Sequence, residues 1–183
     1  DDSVESMVAD FEANGANKNN EEILTLFAEN VGAATDWLVA SCGIEFEPGL
    51  HQLGEYSHNR ELAYTGGGAG FAERMRKAVE SSGATVYLST KVESLLVEDG
   101  AVVGVKAVST DGTKEYTVHA ANVVLATGGY GNNKDMLTEE MKSALYYGPA
   151  TSTGDGIRMA EAVNAQTANM EYGKRYPNGI EVD

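Results

Sequence analysis

The stretch NVVLATGGYGNN, residues 122–133, decides how this chain is read. A run of small apolar residues, 123–126, stops abruptly at Thr127-Gly128-Gly129. Continuous apolarity marks a strand buried on both faces of a parallel sheet, so residues 122–127 predict such a strand. Ligands bind in the crevice outside the carboxyl ends of parallel strands. Two glycines there let main chain come within contact distance of a flat ring or a pyrophosphate, where a Cβ would clash; the plainer alternative is a tight turn.

Before this stretch the hydrophobic period is 2. "TKVESLLVEDG", "AVVGVKAVSTDG" and "TKEYTVHA" alternate along their length, and Asp99-Gly100 and Asp111-Gly112 supply the positive φ of tight hairpin turns. An antiparallel meander over 92–97, 102–108 and 116–120 follows, with "ATVYLST" a further strand candidate ahead of it. Further upstream the period is 3.6. Val4, Met7, Val8 and Phe11 share one helix face. Ile23, Leu24, Phe27, Val31, Ala34, Trp37, Leu38 and Cys42 make a wide stripe on a second helix, closed by Gly43. Residues 44–70 hold no sustained period and read as a long functional or connecting loop. "FAERMRKAVESSG" then predicts a third helix closed by Gly83. Downstream, "MLTEEMKSALYYG" is followed by a helix over 154–165 that opens at Gly154-Asp155-Gly156.

Two more glycine clusters accompany the opening stretch. Asp155, between two glycines at a helix start, serves either as a cap that accepts from free N–H groups or as an acceptor for ribose or ribitol hydroxyls. "YTGGGAGFAERM" runs glycines into a helix whose N–H groups suit an anion. It is neither a P-loop nor a strand–GxGxxG–helix, which disfavours a standard nicotinamide-dependent dehydrogenase.

The chain has 183 residues, 42% of them hydrophobic, with 21 Gly against three Pro and a net charge of −15. That charge repels phosphate backbones and argues against nucleic-acid partners. One cysteine, Cys42, excludes an internal disulfide and a cysteine-based zinc site, and reads as a packing residue. His51, His58 and His119 lack ligand spacing and read as surface residues. No run approaches the ~18–20 apolar residues of a transmembrane segment, and no GxSxG elbow supports a serine nucleophile.

Taken in order, "TGGGAG", "TKVESLLVEDGAVVGV", "VVLATGGYGNN" and "GDGIRMAEAVNA" resemble the fumarate-reductase/flavocytochrome c group of FAD-dependent oxidoreductases, over essentially the whole chain. Urocanate reductases and ketosteroid dehydrogenases are relatives in that group. The resemblance implies an α/β fold: a partial FAD-binding domain of glutathione-reductase-like Rossmann type with an antiparallel β-meander. It places main chain at Val92 against the adenine end of FAD and packs Ala126, Thr127, Gly128 and Gly129 beside the dinucleotide. Asp155 lines the same site, and Thr65, Gly66, Gly67 and Gly68 lie near the isoalloxazine and substrate. The implied reaction is hydride transfer from FAD to an activated C=C bond of a fumarate-like unsaturated carboxylate. A haem, an FMN domain or a reduced quinone or flavin acts as electron donor. A urocanate or a steroid is the alternative substrate, and a non-catalytic binding or assembly module the alternative of another class.

The same resemblance sets expectations for what the chain lacks. It starts beyond the first strand and GxGxxG loop that grip the pyrophosphate, and 179–183 mark the start of a capping domain. Residues 1–178 are then the central part of an FAD-binding domain: helices over 1–83, meander over 85–120, buried strand over 122–127 and helix over 154–165. No residue here is assigned a catalytic role, and the chain alone is expected to bind FAD weakly and to be inactive. An exposed sheet edge makes homo-oligomers an expected hazard. Where relatives carry His-Pro against a substrate carboxylate, this chain has Tyr176-Pro177. Tyr176 therefore either hydrogen-bonds substrate without a positive charge or merely packs. The compartment stays open between the cytoplasm and the bacterial cell envelope.

Overall fold

The computed structural model describes residues 2–173. They belong to two compact units, Asp1–Val86 and Tyr87–Asp183. Helices and strands are mixed, as the sequence predicts.

The first unit holds α1 (Val4–Asn14), α2 (Glu21–Cys42) and α3 (Gly67–Ser81). Side-chain caps start the first two helices. Ser3 accepts from the Ser6 amide and Asn20 from the Ile23 amide, each satisfying a donor that the helix itself leaves free. Gly43 ends α2 in the left-handed conformation at φ 64°, as its position after the apolar stripe predicts. The α3 helix begins earlier than its apolar period suggests, inside the glycine run. Leu24, Ala28 and Ile44 are buried here, and Phe11 meets Phe27 edge-on at 5.9 Å. The loop after α2 is less irregular than expected: bridges Phe46–Tyr64 and His51–Glu61 fold it back on itself.

Arg60 pins that loop to α1. Its guanidinium, 10% exposed, donates to Asp2 at 2.7 Å and to Asp10 at 2.5 Å. His58, expected on the surface, is half-buried, with Nδ1 within 3.2 Å of Ser6 Oγ and 2.8 Å of Ser57 Oγ. Bonding to Arg60 holds the Asp2 and Asp10 carboxyls down at about 2, against an ordinary 3.8. Groups with depressed folded values stabilise fully above 3.8, and that contribution is lost as pH falls toward about 2. Arg60→Met is therefore expected to lower thermal stability at neutral pH and to flatten its fall across that window. Circular dichroism melts against pH measure this, and an unchanged acid limb would remove the clasp from the account.

The second unit is built on a three-stranded antiparallel sheet in the order β1 (Thr90–Glu98), β2 (Ala101–Ser109), β3 (Glu115–His119). The predicted meander is thus formed. Asp99 and Gly100 both take positive φ, 49° and 81°, the signature of the two-residue turn that Asp-Gly favours. A register shift between Val92 and Ser94 leaves Glu93 as an extra residue in β1. Bulges of this kind re-aim neighbouring side chains. The short α4 (Glu139–Lys142) follows, and α5 (Asp155–Glu161), shorter than the helix expected over 154–165, packs on β1 through the buried Met159.

Two strand predictions are overturned. Residues 122–127 form no strand and are not buried: Val124 is 86% exposed. Residues 84–88, likewise read as strand, are also irregular, with Leu88 82% exposed. A strand exists only through its ladder, and neither run has a hydrogen-bonded neighbour among the described residues. Apolarity announces that a segment is suited to burial; it does not supply the partner.

Candidate functional site

The loop that follows 122–127 is fixed by hydrogen bonds to the GDG segment. Gly154 N donates to the Gly129 carbonyl at 3.1 Å, and Asn132 N donates to the Ser152 carbonyl at 2.9 Å. The two asparagine side chains continue the seam. Asn132 Nδ2 donates to Ala150 O and Asn133 Nδ2 to Thr153 O, both at 2.8 Å. "GGYGNN" and "ATSTGDG", about twenty residues apart in sequence, are therefore one local structure. Thr127 joins it from the other side: a Cβ at the buried Gly156 would lie 3.2 Å from Thr127 Cβ and closer still to its Oγ1.

The glycines of this seam differ in what they require. Gly154 and Gly128 take φ of 77° and 74°, which disfavours any residue with a Cβ. Gly129 is different. Its φ lies outside the left-handed region, and a Cβ there would meet nothing within 4 Å. Alanine would fit the chain as folded, so neither strain nor crowding explains the glycine.

Asp155 is the first residue of α5, behind Gly154 at the cap position, where its charge also suits the helix N-terminus. Oδ1 accepts from Thr153 Oγ1 at 3.1 Å, and Oδ2 lies 3.9 Å from Lys91 Nζ. The carboxylate is partly exposed on the rim of a 580 Å³ cavity between β1 and α5, shared with Val92, Lys91, Arg158 and Met159. Val92, predicted 63 residues earlier in sequence, and Asp155 thus face the same hollow. Thr153 and Lys91 are the residues that sequence reasoning missed. A hydroxyl two positions before an acid is the signal that was present for the first.

In the other unit, Gly66 and Gly67 take φ of 78° and 62° and lead into α3, which no side chain caps. Gly68 repeats the argument made for Gly129. It is open to at least 4 Å and outside the left-handed region, although glycine in a helix costs about 1 kcal/mol against alanine. Arg74 braces this loop, with Nη1 donating to Thr65 O at 3.1 Å and Gly70 O at 3.2 Å while Nη2 bonds Glu45 at 2.5 Å. Tyr176 lies outside the described residues. Among those residues, no three His, Cys, Asp or Glu side chains are grouped to hold a metal ion, and no helix is long and apolar enough to cross a membrane.

Main chain at 128–129 without side chains is joined by hydrogen bonds to the segment of Asp155, and Asp155 lines the β1–α5 cavity. The chain belongs to the FAD binding domain family, whose description fits residues 1–180. FAD is the cofactor of that family.

Urocanate reductase of Eggerthella lenta is 32% identical over 184 residues, covering 97% of this chain and 30% of the relative. Probable fumarate reductase Ifc3 of Shewanella frigidimarina is 31% identical over 183 residues, covering 97% of this chain and 31% of the relative. The open conformation of a flavocytochrome c3 fumarate reductase superposes with a TM-score of 0.82 at 32% identity, covering 91% of this chain and 30% of that one. The chain therefore spans about a third of the length of these relatives.

Proposed function

We propose that this chain forms the FAD-holding part of a reductase that acts on the activated C=C bond of an unsaturated carboxylate. The observation that carries the reading is Gly129, a glycine that its own fold does not need. It stands open beside Gly128 and fixed to the Asp155 segment. Ala126, Thr127, Gly128 and Gly129 present main chain to the dinucleotide. Val92 offers the adjoining main-chain edge, and Asp155 accepts from a cofactor hydroxyl. A hydrogen bond to a charged group contributes about 1.5–3 kcal/mol. Thr65, Gly66, Gly67 and Gly68 form the approach to the reacting end. When bound, FAD supplies the two-electron chemistry, and the protein binds and orients it.

The unsaturated acid follows from the similarity to proteins named urocanate reductase, fumarate reductase and NADH:fumarate oxidoreductase, the last of Klebsiella pneumoniae and 30% identical. An electron donor is part of the proposal, as reduction of the substrate consumes two electrons.

The test separates fold from function at one atom. In the full-length protein, Gly129→Ala is expected to melt like wild type yet bind FAD about tenfold more weakly, a difference of about 1.4 kcal/mol. Flavin absorbance and fluorescence titration read the affinity. A variant that binds FAD as wild type does assigns Gly129 to a turn, and the proposal for this site fails. Reduction of fumarate and of urocanate by the full-length protein, with a reduced dye as donor, then tests the substrate class.

A further inference from the structure

We propose that Thr153 is a positioning residue for Asp155, holding its carboxylate in the one orientation that leaves an oxygen free toward the β1–α5 cavity; this rests on the reading of Asp155 as an acceptor for a cofactor hydroxyl. A carboxylate on an exposed helix start ordinarily rotates between several rotamers or turns back to cap the helix. Here Oδ1 is engaged by the Thr153 hydroxyl at 3.1 Å, which opposes both movements.

The Thr153 hydroxyl has one proton to give. Thr151 O, at 3.4 Å, competes with Asp155 Oδ1 at 3.1 Å. The shorter distance and the negative charge favour the carboxylate, since charge-assisted bonds are about twice as strong as neutral ones. Thr153 is itself held. Asn133 Nδ2 donates to its carbonyl at 2.8 Å, and its amide donates to Thr151 O at 2.9 Å. A continuous path thus runs from the "GGYGNN" loop through Thr153 to the carboxylate.

Lys91 does not do the same work. Its Nζ is 3.9 Å from Oδ2, beyond hydrogen-bond range, and the two side chains are 60% and 43% exposed. Exposed pairs of this kind contribute little. With Oδ1 fixed by Thr153, Oδ2 keeps the lone pairs that a ligand hydroxyl needs.

The experiment is a double-mutant cycle on FAD affinity in the full-length protein, with Thr153→Val, Thr153→Ser, Asp155→Asn and Thr153→Val/Asp155→Asn. Valine keeps the shape of threonine and removes the proton. Serine restores the hydroxyl, and melting curves exclude loss of fold. The expected result is FAD binding about fivefold weaker in Thr153→Val, near wild type in Thr153→Ser, and no weaker in the double variant than in Asp155→Asn alone. The inference is overturned if Thr153→Val binds FAD as wild type does while Asp155→Asn binds weakly. It is overturned also if the valine effect persists undiminished beside asparagine, which marks a purely structural role. If Asp155→Asn leaves FAD affinity unchanged, the reading of Asp155 falls, and this inference with it.

Discussion

Gly104→Ala is expected to destabilise the second unit by about 3 kcal/mol and to lower its melting temperature by roughly 10 °C. Gly104 is buried in β2, the strand that pairs with both β1 and β3. A Cβ there would lie 3.0 Å from His119 Cα and closer still to the Val118 carbonyl oxygen. Those are backbone atoms of β3, which a rotamer change cannot clear. The ladder itself must open, and a central strand transmits the displacement to both neighbours. Gly112→Ala is the informative control. Its φ is 70°, but a Cβ would have open space around it. Strain alone then costs about 1 kcal/mol. Circular dichroism melts of the two variants separate close approach from strain; similar losses would show that the β2–β3 contact is not what glycine protects.

Gly156→Ala is expected to cost about 2 kcal/mol and to weaken FAD binding more than tenfold, because it strikes the seam between the two motifs. The added methyl would crowd Thr127, at 3.2 Å from Cβ and 3.4 Å from Cγ2, with Oγ1 nearer. Threonine is stiff at χ1, and either of its branches must point somewhere. The segment 127–129 is therefore displaced, and with it the Gly129 carbonyl that accepts from Gly154 N. Thr127→Ala in the same chain removes both branches. The double variant is expected to be more stable than Gly156→Ala alone, as measured by thermal melting. Equal stability of the two would mean that the collision is relieved by some other movement.

Local chemistry made much of the second unit legible. The Asp-Gly pairs at 99–100 and 111–112 need only their own backbone preferences to turn, so the sheet over Thr90–His119 follows from period and turn residues together. The α2 helix is legible for the same reason, from its stripe, its Asn20 cap and Gly43. Residues 122–127 are the opposite case. Their apolarity is real, yet Val124 stands 86% exposed, since a ladder requires a second segment that composition cannot specify.

The candidate site divides along the same line. Sequence order and the motifs at 65–68, 127–129 and 155 pointed to the FAD binding family, which the match over residues 1–180 shows. Which glycines the fold itself demands was invisible there. Gly128 and Gly154 are spent on backbone shape, whereas Gly129 and Gly68 are not. The sequence by itself determined the helices, the meander and the family, all of which rest on preferences of neighbours along the chain. Only the tertiary structure decided that the Asp155 carboxylate accepts from Thr153 two residues before it, and that the glycine-rich loop and the GDG segment are one local structure. The second outcome depends on hydrogen bonds between residues about twenty apart, whose partners are chosen by three-dimensional proximity.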